Sequence, residues 1–410
     1  MKQNKDIPAG YKDSSLGIIP EDWQVKKLDE LGIFLKGKGI PKDKIKSFGN
    51  PCITYGDIYT KYNFVIKNIK SFIDDSAALE SQKIEFGDIL FAGSGETIED
   101  IGKCVAYIDK EIAFAGGDII IFKPFESESI TLSYLLNSSV SNKQKYKFGQ
   151  GHSIVHIYPF HLKKIEIVLP TLQEQKKIAE ILFFWDKVIE KQEQLVEKLE
   201  RRKRGLMQQL LNKKKQLSEC VAEWQIVKLG DCISEFNEKP KEKVKYEILT
   251  SSNKGLVKQT DYYGDNRITN REEVDYNVIP PNYVTYRSRS DDGLFTFNKN
   301  TYGIYGLVSG YYPVFTALNS NIDFLVLFLN YFKTKLSKFS IGTSQLVLSF
   351  SSLISAKFKL PNYEEQTAIA EVFATADQEI NSAKAKLNSL IIQKKGLMQQ
   401  LLTGKTRVAI

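Results

Sequence analysis

One long passage occurs twice in this sequence. The segment that opens Pro170-Thr171-Leu172-Gln173-Glu174-Gln175 and closes Gly205-Leu206-Met207-Gln208-Gln209-Leu210-Leu211 returns without a gap as Pro361-Asn362-Tyr363-Glu364-Glu365-Gln366 through Gly396-Leu397-Met398-Gln399-Gln400-Leu401-Leu402. Both ends keep one offset, since 361 − 170 and 396 − 205 are both 191. So long a period exceeds any solenoid repeat, and the repeated unit is a whole domain followed by a helix. A chain of 410 residues, 42% of them hydrophobic, can bury two ordinary cores, in agreement with that division.

Inside the repeat, one stripe advances by alternating threes and fours: Ile178, Leu182, Trp185, Ile189, Gln192, Val196, Leu199, Lys203, Leu206, Leu210. The second copy keeps it as Ile369, Phe373, Ala376, Ile380, Ala383, Leu387, Leu390, Lys394, Leu397, Leu401. A period of about 3.5 residues marks a left-handed coiled-coil seam, so each copy is predicted to be one long helix. Each begins after a proline with glutamates in its first turn, where the helix dipole favours negative charge. About forty residues of helix span roughly 60 Å, more than a small domain is wide, so the two seams are expected to pack on each other. The second domain starts soon after the first helix ends and leads straight into the second helix, which makes the pair antiparallel and puts the domains at its opposite ends. Gly205 and Gly396, inside the helices, suggest that another backbone comes close there, the alternative being an early helix end.

The regions before the helices read as a mixed α/β (α+β) fold. Strand-like runs in the first include Cys52-Ile53-Thr54-Tyr55, Asp88-Ile89-Leu90-Phe91, Asp118-Ile119-Ile120-Ile121-Phe122 and Lys164-Ile165-Glu166-Ile167-Val168-Leu169. The second offers Tyr283-Val284-Thr285-Tyr286, Gly306-Leu307-Val308 and Ile322-Asp323-Phe324-Leu325-Val326-Leu327, the last with a helical alternative. Trp23-Gln24-Val25 and Trp224-Gln225-Ile226 open the two regions, and Gly151-His152-Ser153 and Gly342-Thr343-Ser344 approach the two helices. Between those marks the regions have diverged. Conserved helices should offer one surface twice, and diverged domains should recognise two different things. The expected boundaries are domains at 1–169 and 216–360, helices at 170–215 and 361–404, and a tail at 405–410.

The order Trp-x-x-x-x-Leu, variable domain, Leu-Pro-x-x-x-Glu-Gln-x-x-Ile-Ala, and long helix ending Lys-x-Gly-Leu-Met-Gln-Gln-Leu-Leu, all repeated, resembles the specificity (S) subunits of type I restriction-modification systems. Its elements here are Trp23 and Leu28, Leu169-Pro170, Glu174-Gln175, Ile178-Ala179 and Lys203 to Leu211, then Trp224 and Leu229, Leu360-Pro361, Glu365-Gln366, Ile369-Ala370 and Lys394 to Leu402. Gly87-Asp88-Ile89-Leu90-Phe91 to Ile101-Gly102-Lys103 is similar to a target-recognition domain of that family. The resemblance implies two target-recognition domains separated by an antiparallel coiled coil, a bipartite asymmetric target in double-stranded DNA, no catalysis of its own, and docking of two methyltransferase subunits, joined by restriction subunits in the full complex. A pseudo-twofold protein suits a pseudo-twofold duplex. For partner docking it points to the repeated helix ends, Gly205, Leu206, Met207 and Gln208 with Gly396, Leu397, Met398 and Gln399.

Other chemistry finds little support. Phe91-Ala92-Gly93-Ser94-Gly95 imitates the Phe-x-Gly-x-Gly turn of S-adenosylmethionine-dependent methyltransferases, and Pro280-Pro281-Asn282-Tyr283 carries the letters of their Asn/Asp-Pro-Pro-Tyr motif in the wrong order. No Walker A sequence occurs. His152, His156 and His161 make a poor zinc site, and Thr343 stands at the position of His152 in the second copy. Cys52, Cys104, Cys220 and Cys232 are scattered, so no disulfide framework or metal cofactor is expected. The first residues lead into no apolar signal core, and no apolar run reaches about eighteen residues, so a cytoplasmic protein without membrane association is expected. Net charge is +8 and the pI near 8.9, with the bases of 201–204 and 213–215 concentrated in one run. That run fits either a polyanion partner or a solvated helix face. For DNA contact, basic residues among aromatic and small polar ones single out Lys36, Lys38, Lys42, Tyr55, Ser94, Lys103, His152 and Ser153 in the first region and Tyr286, Arg287, Ser288, Arg289, Thr343 and Ser344 in the second. A scaffold that binds only proteins and a methyltransferase with its own cofactor site are the competing classes.

Overall fold

The computed structural model describes residues 7–151, 154–217, 222–241, 246–253, 255–263 and 276–410. The chain forms two compact units, one of Met1–Glu193 with Ala385–Ile410 and one of Gln194–Lys384. In the first, a five-stranded sheet runs Gly32–Lys36, Ile119–Pro124, Ile89–Ala92, Cys104–Tyr107, Val65–Ile66. A four-stranded sheet runs Ser71–Ile73, Asn50–Ile53, Ala113–Ala115, Gln82–Ile84, and its central pair is parallel. The second unit repeats the design. One sheet runs Ile233–Phe236, Val314–Ala317, Val284–Tyr286, Phe297–Lys299, and the other Gly255–Lys258, Glu247–Ser252, Gly306–Ser309, Tyr276–Ile279, again with a parallel central pair. The topology survives where the sequence does not, because a strand requires only pleat-compatible apolar residues between turns.

The recurring sequence marks are the joints of this design. Gln24–Lys27 pairs antiparallel with Glu166–Leu169, and Gln225–Lys228 with Lys357–Leu360, so in each unit the strand after the marking tryptophan lies against the strand that enters its helix. Trp23 donates its indole N–H to Glu174 Oε2 at 2.6 Å, and Trp224 donates to Glu365 Oε2 at 3.2 Å. The glutamine beside each glutamate also has a fixed task. Gln175 Oε1 accepts from the Glu128 backbone N–H, and Gln366 Oε1 from that of Asn321, both at 2.9 Å, while their amide groups donate to Pro170 and Pro361 carbonyls. These side chains are buried, where an unpaired polar group would cost about 1–3 kcal/mol. In the first unit Arg407 adds bonds to Glu174 and Asp22.

The predicted long helices are Leu172–Leu210 and Tyr363–Leu401, 39 residues each. Ile178 and Leu182 share a core with Leu401 and Leu402, and Ile369 and Phe373 share one with Leu210 and Leu211. Each unit thus holds the start of one helix and the end of the other, which is the antiparallel arrangement. Lys203 pairs with Asp377, and Lys394 with Asp186. Both lysines and both aspartates are related by the 191-residue offset, so one contact is made twice with the helices exchanging roles.

Three expectations change. Neither helix ends at its glycine, and among the described residues an added Cβ at Gly205 or Gly396 meets nothing within 4 Å, so no described backbone lies against either. The apolar run at 322 is a helix, Ile322–Tyr331, because the Asn321 side chain accepts from the Asp323 and Phe324 N–H groups and starts one. Within the basic run, Arg201, Arg202 and Lys203 pair with Glu197, Glu379 and Asp377, so these three bases have carboxylate partners within the unit.

Candidate nucleic-acid interface

In the first unit's larger sheet Lys36 lies opposite Ile120 and Ala92 opposite Ile119, so the chain leaves both strands at one end of the sheet. Lys36, at the end of the edge strand, and Lys38 and Lys42 on the segment that follows it are exposed. Gly37 makes that path possible: its N–H donates to the Ile119 carbonyl at 2.8 Å, and a Cβ there would lie 2.1 Å from the Gly116 carbonyl. Beyond the third strand, Ile89–Ala92, emerges Ser94-Gly95, paired antiparallel with Val155-His156, with Ser94 Oγ 2.9 Å from His156 Nδ1. The sheet end therefore brings together Lys36, Lys38, Ser94 and the approach loop. Ser94 itself is buried, and the expected contacts His152 and Ser153 lie outside the described residues. Tyr55 is exposed at the start of the helix Tyr55–Thr60. Lys103 is half-buried and donates to the Tyr62 carbonyl at 2.8 Å, and burial lowers its pKa.

The second unit builds the same end. Phe236 and Thr285 both reach Val314, so the residues after Phe236 and after Tyr286 emerge together, beside Tyr311. Arg289-Ser290 pairs antiparallel with Leu346-Val347. Gln150 bridges His156 and Ile341 bridges Val347, the same contact at the 191-residue offset. Gly151 and Gly342 hold φ of +128° and +131°, and a Cβ would lie 1.9 Å from the Ile154 carbonyl and 2.2 Å from that of Gln345. Glycine is needed at both turns. Thr343 and Ser344 are exposed on the second loop.

The second cluster divides by side. Tyr286 is fully buried and donates to the Leu348 carbonyl at 3.0 Å, and Ser288 is buried and donates to the Tyr311 carbonyl at 2.5 Å. Both support the turn from inside and present no surface for a base. Arg287 and Arg289 alternate with them and are exposed. The Arg289 guanidinium lies 4.5 Å from the centre of the Tyr311 ring.

Tyr158 and Phe160, which sequence reading does not single out, complete the first tip beside His156, which enters there only as a poor zinc ligand. His156, Tyr158 and Phe160 form a ladder of rings with centroids 6.4 and 5.8 Å apart, and Tyr158 and Phe160 are exposed. His161 is buried against Phe148 at 5.3 Å, with no partner for Nδ1 among the described residues and its pKa lowered by burial. At the 191-residue offset the second unit has Val347, Ser349 and Ser351 in place of the ladder. The signal was present as an aromatic run, Tyr158-Pro159-Phe160-His161, next to an approach loop. No group of three His, Cys, Asp or Glu side chains suited to a metal occurs among the described residues, and no described helix is long and apolar enough to cross a membrane.

At the proposed docking ends, Leu206 and Met207 pack partly buried on the second unit's core, and Leu397 and Met398 on the first's. Gln208, Gln399 and Gly396 are exposed and Gly205 is half-buried. Outward, these ends present the polar and glycine positions.

Comparison with known proteins agrees with this construction. The chain is 26% identical over 97% of both sequences to a putative type I restriction enzyme MjaX specificity subunit of Methanocaldococcus jannaschii, and 25% identical, over 95% of this chain and 94% of the relative, to the MjaVIII specificity subunit of the same organism. In fold it is similar to the crystal structure of a type I restriction-modification S subunit from M. genitalium, with a TM-score of 0.57, 15% identity and 98% of each chain covered. The profile described as Type I restriction modification DNA specificity domain matches residues 20–201 and again 222–391, and the chain belongs to that family as a specificity subunit, not a catalytic chain.

Proposed function

We propose that this chain recognises a bipartite, asymmetric sequence in double-stranded DNA, one part through each unit. The observation that carries the reading is the contrast at the two sheet ends. One frame, with matching glycine turns and matching strand pairs, presents lysines and an aromatic ladder in the first unit and two arginines in the second. Readers at 1–169 and 216–360 and spacer helices at 170–215 and 361–404 follow the repeat. In the first reader Lys36, Lys38, Lys42 and Tyr55 supply contacts, together with the loop of His152 and Ser153. In the second, Arg287, Arg289, Thr343 and Ser344 do so. Cations position the phosphates, and planar or hydrogen-bonding groups read base edges. Two copies of a methyltransferase subunit dock on the repeated helix ends around Gly205, Gln208, Gly396 and Gln399, and restriction subunits join in a cytoplasmic assembly.

Exchange of residues 224–360 for the corresponding region of another such subunit, followed by mapping of methylated sites, tests this. The expected outcome is one altered half-site and one retained. If both halves change together, independent reading fails, and if no duplex is bound even with partners added, the protein-only scaffold takes its place.

A further inference from the structure

We propose that Arg289 is the residue through which the second unit selects a guanine–cytosine pair, a deeper statement that rests on the DNA-recognition reading above. Arg289 and Arg287 line a cavity of about 430 Å³ together with Ser251, Thr296, Asp291 and Asp292. The guanidinium of Arg289 lies over the exposed Tyr311 ring, 4.5 Å from its centre, a cation–π contact that favours its position at the mouth of the cavity. Among the described residues neither arginine pairs with a carboxylate, although two carboxylates line the same cavity. Those carboxylates are tied elsewhere. Asp292 Oδ1 accepts from Ser290 Oγ at 2.6 Å and from the Leu294 N–H at 2.9 Å, and Asp291 Oδ1 accepts from Gln345 at 3.1 Å.

The charges decide between a phosphate and a base edge. Two guanidiniums and two carboxylates sum to zero, and a site that neutralises phosphate needs surplus positive charge. A guanine–cytosine pair suits the mixture, since guanine O6 and N7 accept two parallel bonds from one guanidinium and cytosine N4 donates to a carboxylate. Hydrogen bonds from Ser290 and Leu294 hold Asp292 below its ordinary carboxyl value, so it carries charge at neutral pH. Strand pairing puts Arg289 opposite Val347 and Ser94 opposite His156, which are equivalent at the 191-residue offset. The first unit thus has a short, buried hydroxyl at the same register position, and the choice of base there has a different chemical origin.

The test uses the full-length chain, with a type I methyltransferase subunit from its source cells added, selecting from a library of random-sequence duplexes. Arg289→Ala and Arg289→Lys are compared with the parent, and thermal unfolding verifies that both remain folded. Both variants are expected to lower discrimination at one guanine–cytosine pair of one half-site by roughly tenfold to hundredfold, with the other half-site unchanged. Lysine keeps the charge but not the two-pronged plane, so it should not rescue. An unchanged motif overturns the proposal. So does uniform weakening across all sequences that lysine restores, the mark of a phosphate contact. If the parent enriches no sequence, the recognition reading itself fails and takes this one with it.

Discussion

The lysine–aspartate contact that the repeat makes twice is not the same interaction in the two units. In the first, the Lys394 side chain is 6% exposed and Asp186 22%, with the ammonium 4.4 Å from the centre of the Phe64 ring and 4.8 Å from that of Tyr134. The Tyr134 hydroxyl donates to the same aspartate. In the second, Lys203 and Asp377 are 24% and 51% exposed. The same two residue types therefore form a desolvated knot at one place and a surface pair at the other, and the difference comes entirely from what the diverged domain lays over the seam. Breaking a buried pair leaves a charge without compensation, which costs about 3–5 kcal/mol, whereas an exposed pair is worth about 0–1 kcal/mol. Asp186→Ala should therefore lower stability by about 3 kcal/mol, the rings offsetting part of the loss, and Asp377→Ala by less than about 1 kcal/mol. Urea unfolding of the two variants measures this, and equal losses would mean that burial does not distinguish the pairs.

A second position separates the units by charge. Lys145 is fully buried, with its ammonium donating to the Gly102 carbonyl at 2.7 Å, and the residue 191 positions on is Leu336, also fully buried. Burial pushes Lys145 down to about 8 from its ordinary 10.5. Between those values the folded chain has released a proton that the unfolded chain still holds, so this group makes stability rise with pH across that window. The slope approaches roughly 1.4 kcal/mol per pH unit, and a rise of about 2.5–3 kcal/mol over the window is expected. Lys145→Leu, which copies the second unit, should abolish the rise. Unfolding of both proteins from pH 7 to about 10.5 measures it, and parallel curves would assign the pH dependence to other groups.

Much of this frame could be read from one sequence, and the limits have physical causes. The seam was legible because its period is written in consecutive residues, and even Lys203 and Lys394 appear in it at apolar positions. Their partners were not, since nothing local to Lys394 indicates that Asp186 faces it. For the same reason Trp23 and Glu174 stood as separate marks, although they form one hydrogen bond. Tyr286 entered the candidate surface because its neighbours are basic. The alternation was nonetheless present: Tyr286 and Ser288 point inward, and Arg287 and Arg289 outward, the period of two that a strand imposes. The run at 322 misled because short apolar runs fit a strand or a buried helix equally well, and the deciding Asn321 cap precedes it.

Where the units agree, at Gly205 and Gly396, the expected effects are the smallest and the same for both. Each glycine lies within a helix, and a Cβ at either meets nothing within 4 Å, so this chain's own packing does not require glycine there. Alanine would lower the entropic cost of fixing the backbone, and each Gly→Ala change should raise stability by up to about 1 kcal/mol, equally at the two sites, since each glycine lies at the same distance from the end of its helix. If the glycines instead leave room for a docking partner, the benefit in isolation turns into a loss in the assembly. Gly205→Leu and Gly396→Leu should stabilise the free chain by roughly as much as alanine or a little less, and weaken its association with the methyltransferase subunit. Sedimentation of the free and assembled proteins separates the two effects. Unchanged stoichiometry and affinity with both leucines in place would remove these helix ends from the docking surface, while a stabilised free chain would still show that the glycines answer no need of its own fold.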